Sequence, residues 1–140
     1  MAKHWLSIGA LLLAPAIWGQ IPQEMRDWRP PAGEAPVAPK SQCAALRSLT
    51  GYEFTIVTAE EQRTPAGTNF CRVIGQVQPE IRFEVALPAA WNARLLMIGN
   101  GGYAGENIEA AQRANARNDA VGLGFAFTQT NTGHDAQDEP

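Results

Sequence analysis

The chain has 140 residues, with 11 basic and 14 acidic side chains and a formal net charge of −3 at pH 7. This length suits one domain, and 45% hydrophobic against 18% charged residues excludes a chain that is disordered throughout. The sequence has no cluster of Lys or Arg, so its charge pattern argues against a nucleic acid or an anionic membrane as the partner.

The N-terminus has the pattern of a secretory signal peptide. Lys3 and His4 form a short basic start, an apolar run follows over residues 5–13, and Ala14-Pro15-Ala16 supplies small residues near a cleavage site. The run is shorter than the ~20 residues that span a bilayer. We therefore predict a signal peptide over residues 1–16, no membrane contact after its cleavage, and a secreted or periplasmic protein. A buried N-terminal helix is the alternative.

The two cysteines, Cys43 and Cys71, have 27 residues between them. In an exported chain such a pair most often forms a disulfide. A zinc site is the alternative, but it needs more ligands than these, and His134 is the only histidine after residue 16. A disulfide is the better interpretation.

Five of the ten prolines lie between residues 21 and 40. Because proline lacks an amide donor and biases its predecessor towards extended backbone, we predict a linker or an extended arm over residues 17–42. A folded domain is expected over residues 43–140.

Within this domain the pattern predicts a helical turn, strands that alternate in polarity, and one helix. The turn is expected at 43–49, the strands at 52–59, 71–77, 81–87, 94–98 and 124–130, a loop at 60–69, and the helix at 106–120, with Gly122 just past its end. Residues 78–80 suit an antiparallel hairpin. In the strand at 81–87, apolar residues occupy one face, and we expect the face with Glu84 to be solvated together with Glu80.

The second half of the domain predicts a parallel sheet. The apolar run at 94–98 suits a strand covered on both faces, and the helix that follows leads to the strand at 124–130. The fold class is therefore α/β, an antiparallel hairpin that leads into a parallel strand–helix–strand unit. Residues 131–140 are polar and have no structural ending, so we expect a truncated sheet with open edges at 94–98 and 124–130.

A glycine-rich segment, Gly99-Asn100-Gly101-Gly102-Tyr103-Ala104-Gly105, joins the strand at 94–98 to the predicted helix. Glycine allows close backbone approach, and the first amides of a helix lack internal partners, so such a turn can offer N–H donors to a negative oxygen. A nucleotide site is the weakest interpretation, because the segment lacks the Lys-Ser/Thr of a P-loop and Ala104 interrupts the dinucleotide spacing. An oxyanion hole and a tight turn with glycines for packing alone both stay open.

Five segments together resemble the tannase and feruloyl esterase family, in the same order and spacing, over about residues 43–134. They are PAGTNFCRV at 65–73, PEIRFEVALP at 79–88, Trp91-Asn92, the glycine-rich segment at 99–105 and TNTGH at 130–134. The resemblance implies an exported α/β-hydrolase that cleaves esters of phenolic acids, such as galloyl or feruloyl esters. It also implies a serine–aspartate–histidine triad, a serine in a Cys-Ser-x-Gly-Gly turn, and a lid domain that often holds calcium.

This sequence departs from the family pattern at two points. Asn131 stands where the family usually has aspartate, and no Cys-Ser-x-Gly-Gly segment is present; the serines are Ser7, Ser41 and Ser48. The resemblance therefore assigns to this chain the oxyanion-hole donors, Gly101 and Gly102, and the Cys43–Cys71 bridge. It places the triad, the lid and any calcium beyond Pro140, so we expect no cofactor and no metal in this chain.

Three other side chains are candidates for lesser roles. His134 follows a strand, but the triad histidine of α/β-hydrolases comes late in the chain, so we predict a structural role. Trp91 is expected to anchor a turn. Tyr103 is a weak candidate for contact with an aromatic substrate.

The leading hypothesis is thus the N-terminal fragment of a secreted serine ester hydrolase that contributes the oxyanion loop and lacks the nucleophile. Its partner would be a small aromatic ester. The alternative is a secreted, non-catalytic binding module derived from the same fold.

Overall fold

A computed structural model describes residues 35–136, so the predicted signal peptide and most of the predicted arm lie outside the described residues. The described part contains one 3₁₀ helix, five strands and one α-helix: η1 (Cys43–Leu49), β1 (Phe54–Arg63), β2 (Asn69–Val77), β3 (Ile81–Pro88), β4 (Leu95–Met97), α1 (Ala111–Gly122) and β5 (Ala126–Thr130). The strands form a mixed sheet in the order β1-β2-β3-β5-β4. This arrangement is compatible with the predicted α/β class.

Strands β1, β2 and β3 form the antiparallel half of the sheet. The predicted hairpin at residues 78–80 is confirmed, since Val77 pairs with Ile81 across it. The loop predicted at 60–69 is wrong for residues 60–63, which continue β1 as far as the pair of Arg63 with Asn69. Because β1 lies at the edge of the sheet, most of these polar side chains stay exposed and do not oppose strand formation.

Strands β4 and β5 form the parallel half. The predicted strand–helix–strand unit is confirmed, with Leu96 of β4 beside Phe127 of β5 in parallel register. The crossover inserts β5 between β3 and β4. The prediction of an open edge at 124–130 is therefore wrong, and β4 is the edge strand of this half.

Strand β4 is covered on one face only, contrary to the prediction. Leu96 and Ile98 pack against the apolar cluster under α1, whereas Leu95 and Met97 are each 61% exposed. The reason is that η1, which covers the opposite face of the sheet, packs on β1 and β2. Among the described residues nothing covers that face of β4.

The helix begins at Ala111 instead of at Glu106 as predicted. Residues 107–110 form a tight turn, in which Asn107 Oδ1 accepts from Glu109 N–H at 2.8 Å and Asn107 O accepts from Ala110 N–H at 3.0 Å. An asparagine that bonds its own backbone two residues on competes with helix formation. Gly122 is the last helical residue and does not lie past the end.

Two apolar clusters pack on opposite faces of the sheet. One lies under α1 and comprises Phe70, Ala86, Ala120, Val121, Phe125 and Phe127. The other joins η1 to the sheet through Cys43, Ala59 and Val73. The predicted disulfide is confirmed, since Cys43 is bonded to Cys71 with a Cα–Cα distance of 5.5 Å and ties η1 to β2. No helix of the described residues is long and apolar enough to cross a membrane.

The expectation that Glu84 faces solvent is wrong. Its side chain is fully buried beneath α1, whereas Glu80 in the hairpin turn is exposed. The alternation along β3 is regular, but α1 covers the face that carries Glu84 and Ala86, and Leu87 on the other face stays 36% exposed.

Buried Glu84 is held by donors from three other elements. Its Oε1 accepts from Arg72 Nε of β2 at 2.8 Å and from Arg117 Nη1 of α1 at 2.9 Å, and its Oε2 accepts from Gln129 Nε2 of β5. Burial alone would raise the pKa of Glu84, but the bonds from Arg72, Gln129 and Arg117 outweigh it and hold that pKa below its ordinary value. A buried carboxylate with this donor set stays ionised.

Removing this charge should strongly destabilise the chain. Glu84→Gln leaves Arg72 and Arg117 without their shared counter-charge, and breaking a buried ion pair in this way costs about 3–5 kcal/mol. Urea unfolding followed by circular dichroism measures the loss. Glu80→Gln removes the same charge from an exposed position and should change the free energy of unfolding by less than about 0.5 kcal/mol.

The stabilisation by ionised Glu84 should also appear in the pH dependence of the free energy of unfolding. Because the pKa of Glu84 is lower in the folded chain than in the unfolded chain, the unfolded chain takes up the proton first as the pH falls. This contribution is complete above the ordinary carboxyl pKa of 4.5 and is lost as the pH falls through the folded-state pKa. Equal acid sensitivity of Glu84→Gln and the unmodified chain would contradict this assignment.

Candidate functional site

The glycine-rich segment, residues 99–105, leaves the end of β4 at the edge of the sheet. Gly101, Gly102 and Tyr103 are exposed, and Tyr103 has 75% of its surface accessible. Gly101 O accepts from Ala104 N–H at 3.0 Å, which closes a tight turn. Ala104 and Gly105 then have φ angles of 63° and 73°, so the chain reverses before it reaches α1.

A scaffold of side chains holds the start of this turn. Asn100 Nδ2 donates to Thr130 O at the end of β5 at 2.9 Å. From α1, Arg113 Nη2 donates to Asn100 Oδ1 at 2.8 Å and Arg113 Nη1 donates to Gly99 O at 3.0 Å. Side-chain hydrogen bonds therefore fix the start of the turn to both α1 and β5.

The Gly101 N–H, one of the two predicted donors, is already bound to a carboxylate. It donates to Glu106 Oε1, and Glu106 Oε2 lies 3.4 Å from Arg113 Nη2. The bond from Gly101, opposed by burial and aided by Arg113, lowers the pKa of Glu106 below its ordinary value. Glu106 was not predicted as a site residue, because an acidic residue before a helix is also typical of a helix N-terminus.

The helix itself does not supply the site. A helix that begins at residue 106 would have its unpaired amides next to the glycine turn, but α1 begins at Ala111. Residues 106–110 separate its first amides from the glycine turn. What the turn offers to an anion is therefore its own backbone amides.

Two of the side chains that bind Glu84, Gln129 and Arg72, also anchor segment 106–110. Gln129 Nε2 donates to Ile108 O at 3.0 Å as well as to Glu84, and Arg72 Nη2 donates to both carboxylate oxygens of Glu109 at 2.8 Å. The buried Ile108 is thus fixed through its carbonyl. The position of Glu106 follows from these contacts.

His134 packs against the far end of the glycine turn. Its ring meets Tyr103 edge to face with centroids 6.5 Å apart, and Ala136 N–H donates to Gly105 O at 3.0 Å. A Cβ at Gly105 would lie 2.7 Å from both His134 Nε2 and Ala136 N, so glycine is required there. His134 thus packs against Tyr103 and Gly105, and its exclusion from a catalytic triad stays a prediction.

Asn131, which departs from the aspartate that the resemblance implies, joins the end of β5 to β3. Its Oδ1 accepts from Arg82 N–H at 2.9 Å and from Gly133 N–H at 3.0 Å, and its own N–H donates to Arg82 O at 3.1 Å. Both contacts of the side chain use an oxygen that asparagine and aspartate share. The departure from the family pattern therefore leaves this junction intact.

Trp91 anchors a turn, in agreement with the prediction. Its Nε1 donates to Arg94 O at 2.8 Å, and the neighbouring Asn92 Nδ2 donates to Leu123 O at 2.9 Å. The first bond closes the turn before β4, and the second fastens that turn to the end of α1.

A separate groove of about 780 Å³ lies at the start of β2, between residues 37–43, Phe70 and Leu87. Its lining includes the disulfide but neither Gly101 nor Glu106. Over residues 35–136, no three His, Cys, Asp or Glu side chains come together to hold a metal ion.

Comparison with known proteins identifies the family. The family model described as tannase and feruloyl esterase matches residues 65–140, which include the glycine turn, α1 and β5. The chain belongs to the tannase and feruloyl esterase family.

A curated relative agrees with this assignment. An uncharacterized esterase of Agrobacterium fabrum (strain C58) is 30% identical over an alignment of 99 positions, which covers 62% of this chain and 18% of the relative. The chain thus spans less than one fifth of the length of the curated relative it matches. No solved structure matches the chain.

The junction at Asn131 yields a test of the family departure. Asn131→Asp keeps the acceptor oxygen and should lose less stability than Asn131→Ala. Asn131→Ala leaves the N–H groups of Arg82 and Gly133 unsatisfied and should cost about 1–3 kcal/mol for each group that stays buried. Equal losses in the two variants, measured by urea unfolding, would show that the shared oxygen is not what holds the junction.

Proposed function

We propose that this chain is the N-terminal part of a secreted serine carboxylic-ester hydrolase with α/β-hydrolase architecture, acting on phenolic esters of the galloyl or feruloyl type. The observation that carries the proposal is the glycine turn, scaffolded by Asn100 and Arg113, at the end of a parallel strand in a chain of this family. The turn would supply backbone donors to the oxyanion, and the nucleophile would come from elsewhere in the polypeptide.

The sheet supports this architecture. If β1 is an addition at the edge, β2, β3 and β4 are the first three strands, and the glycine turn follows the third. α/β-hydrolases draw one oxyanion-hole donor from the loop between the third strand and the first helix. The same count puts α1 in the place of that first helix.

The electrostatics of the turn also support the role. A donor that stabilises a tetrahedral intermediate must point at developing negative charge and be held in place before the reaction. The Gly101 amide already binds a carboxylate, and Asn100 is fixed to both α1 and β5. Of the two predicted donors, Gly102 is exposed and a Cβ there would meet nothing within 4 Å, so substrate could approach it.

The serines support a nucleophile outside this chain. Ser48 Oγ donates to Ala45 O within η1, and Ser41 lies just before η1. Neither follows a strand on a glycine-containing turn of the kind that exposes a nucleophilic serine. Ser7 lies in the predicted signal peptide, outside the described residues.

Secretion or periplasmic export belongs to the same proposal. It is supported by the signal-peptide pattern over residues 1–16 and by the Cys43–Cys71 disulfide, a bond that persists in oxidising compartments.

The 140-residue chain, purified alone, should not hydrolyse methyl gallate or methyl ferulate, whereas the complete polypeptide encoded by the gene should hydrolyse at least one of them. Release of methanol or of the free acid, followed by chromatography, measures both. An acyl-enzyme burst from the chain alone would contradict the absence of a nucleophile. Phenolic-ester binding without hydrolysis by the complete polypeptide would favour the non-catalytic binding module.

The donor role of the turn is tested at Gly102 in the complete polypeptide. Gly102→Pro removes the amide proton and should lower kcat by about 100-fold or more, the usual effect of losing one oxyanion donor. Gly102→Ala keeps the proton, meets no neighbour within 4 Å and has no positive φ to strain, so it should retain kcat within a few-fold. Equal kcat values in two folded variants would rule out the Gly102 amide as a donor.

A further inference from the structure

The contact between Glu106 and Gly101 resembles a bound anion supplied by the chain itself. Glu106 Oε1 accepts from the Gly101 N–H, and its Oε2 lies 3.4 Å from Arg113 Nη2. We propose that Glu106 is an internal carboxylate ligand of the Gly101 amide, and that this amide binds an external carboxylate once Glu106 moves to Arg113. The inference rests on the proposed function for the identity of that ligand, an aromatic acid of the kind that ester hydrolysis would release.

The glycines of the turn fit this division between an internal and an external ligand. Gly101 has no positive φ, but a Cβ there would lie 3.1 Å from Glu106 Oε1, so glycine admits the carboxylate. At Gly99 and Gly102, by contrast, a Cβ would meet nothing within 4 Å, and neither has a positive φ. The described residues thus leave the Cβ positions of Gly99 and Gly102 open, whereas the Glu106 carboxylate fills the space at Gly101.

The shape of the turn does not depend on Glu106. Asn100 is bound to Thr130 O and to Arg113, Gly99 O accepts from Arg113, and Ala104 N–H closes the turn on Gly101 O. Moving Glu106 away breaks none of these bonds. The amide would therefore keep its direction and become available.

Arg113 provides an alternative position for the displaced carboxylate. Its guanidinium carries five N–H donors, and the two bonds to Gly99 O and Asn100 Oδ1 leave donors unused by those contacts. Glu106 Oε2 is already within ion-pair distance of it. Under the proposal, a rotation of the Glu106 side chain exchanges one partner for the other.

An internal ligand competes at a high effective concentration, of the order of millimolar for groups linked by a short flexible segment. An external carboxylate should therefore bind the unmodified chain weakly. Removing Glu106 should tighten that binding by about tenfold, because a hydrogen bond to a charged group contributes about that factor to an equilibrium.

The test uses the ¹⁵N-labelled chain and benzoate as the probe, with the Gly101 amide resonance followed by NMR. Glu106→Ala should bind benzoate about tenfold more tightly than the unmodified chain, and Glu106→Gln, which keeps a weaker acceptor, should fall between them. Glu60→Gln is the charge control, since it removes one negative charge from an exposed position on β1, at the opposite edge of the sheet from the glycine turn; its affinity should be unchanged. Neutral benzamide should shift the Gly101 resonance in none of them.

Hydrogen exchange gives a second measurement that needs no ligand. The Gly101 amide should exchange faster in Glu106→Ala than in the unmodified chain, while the Ala104 amide of the same turn should be unaffected. Equal benzoate affinities in Glu106→Ala and the unmodified chain, or no shift of Gly101 in any variant, would overturn the inference.

The outcome is separable from that of the proposed function. Competitive tightening without ester hydrolysis by the complete polypeptide would leave the anion site standing and remove the hydrolase. Hydrolysis without any effect of Glu106 on benzoate binding would support the hydrolase and remove the internal-ligand role of Glu106.

Discussion

The buried carboxylate of Glu84 is the interaction on which the rest of the structure depends. It joins β3 to β2 through Arg72, to α1 through Arg117 and to β5 through Gln129. The side chain is fully buried, so leaving it without these donors would be far costlier than leaving an exposed carboxylate unpaired. The same donors also reach the segment before the helix, where Gln129 holds Ile108 O and Arg72 holds Glu109. One charge thereby aligns four elements and the segment that carries Glu106.

Helix α1 uses two arginines, one turn apart, for two tasks. Arg117 faces Glu84 in the core and lies 5.5 Å from the centre of the Phe70 ring, and Arg113 binds the start of the glycine turn. Residues four apart lie on the same face of a helix, so both guanidinium groups point towards the sheet. The core and the turn are therefore held by the same helix face, and a shift of α1 would disturb both.

The sequence allowed prediction of those features that depend on local chemistry. The hairpin at 78–80, the parallel strand–helix–strand unit and the Cys43–Cys71 bridge all follow from turn residues, apolar runs and cysteine spacing. The burial of Glu84 could not be predicted, because alternation along a strand defines two faces without showing which one a helix covers. The buried face of α1 could not be predicted either, because it carries Arg113 and Arg117, whereas a helix normally buries an apolar stripe. The late start of α1 depends on Asn107, whose side chain can serve a turn as well as a helix.

The glycine turn is held by several contacts that do not involve the Gly101–Glu106 bond. Most loop amides that bind a carboxylate from their own chain do so to complete a fold, and removing that carboxylate would release the loop. Here Asn100, Arg113 and the Ala104–Gly101 bond define the turn without Glu106. Stabilisation of a transient oxyanion needs donors that are already oriented, because reorganising them during the reaction would offset the gain. Under the proposed function, a turn that is fixed by other contacts, with its Gly101 amide directed at the Glu106 carboxylate, would meet that requirement.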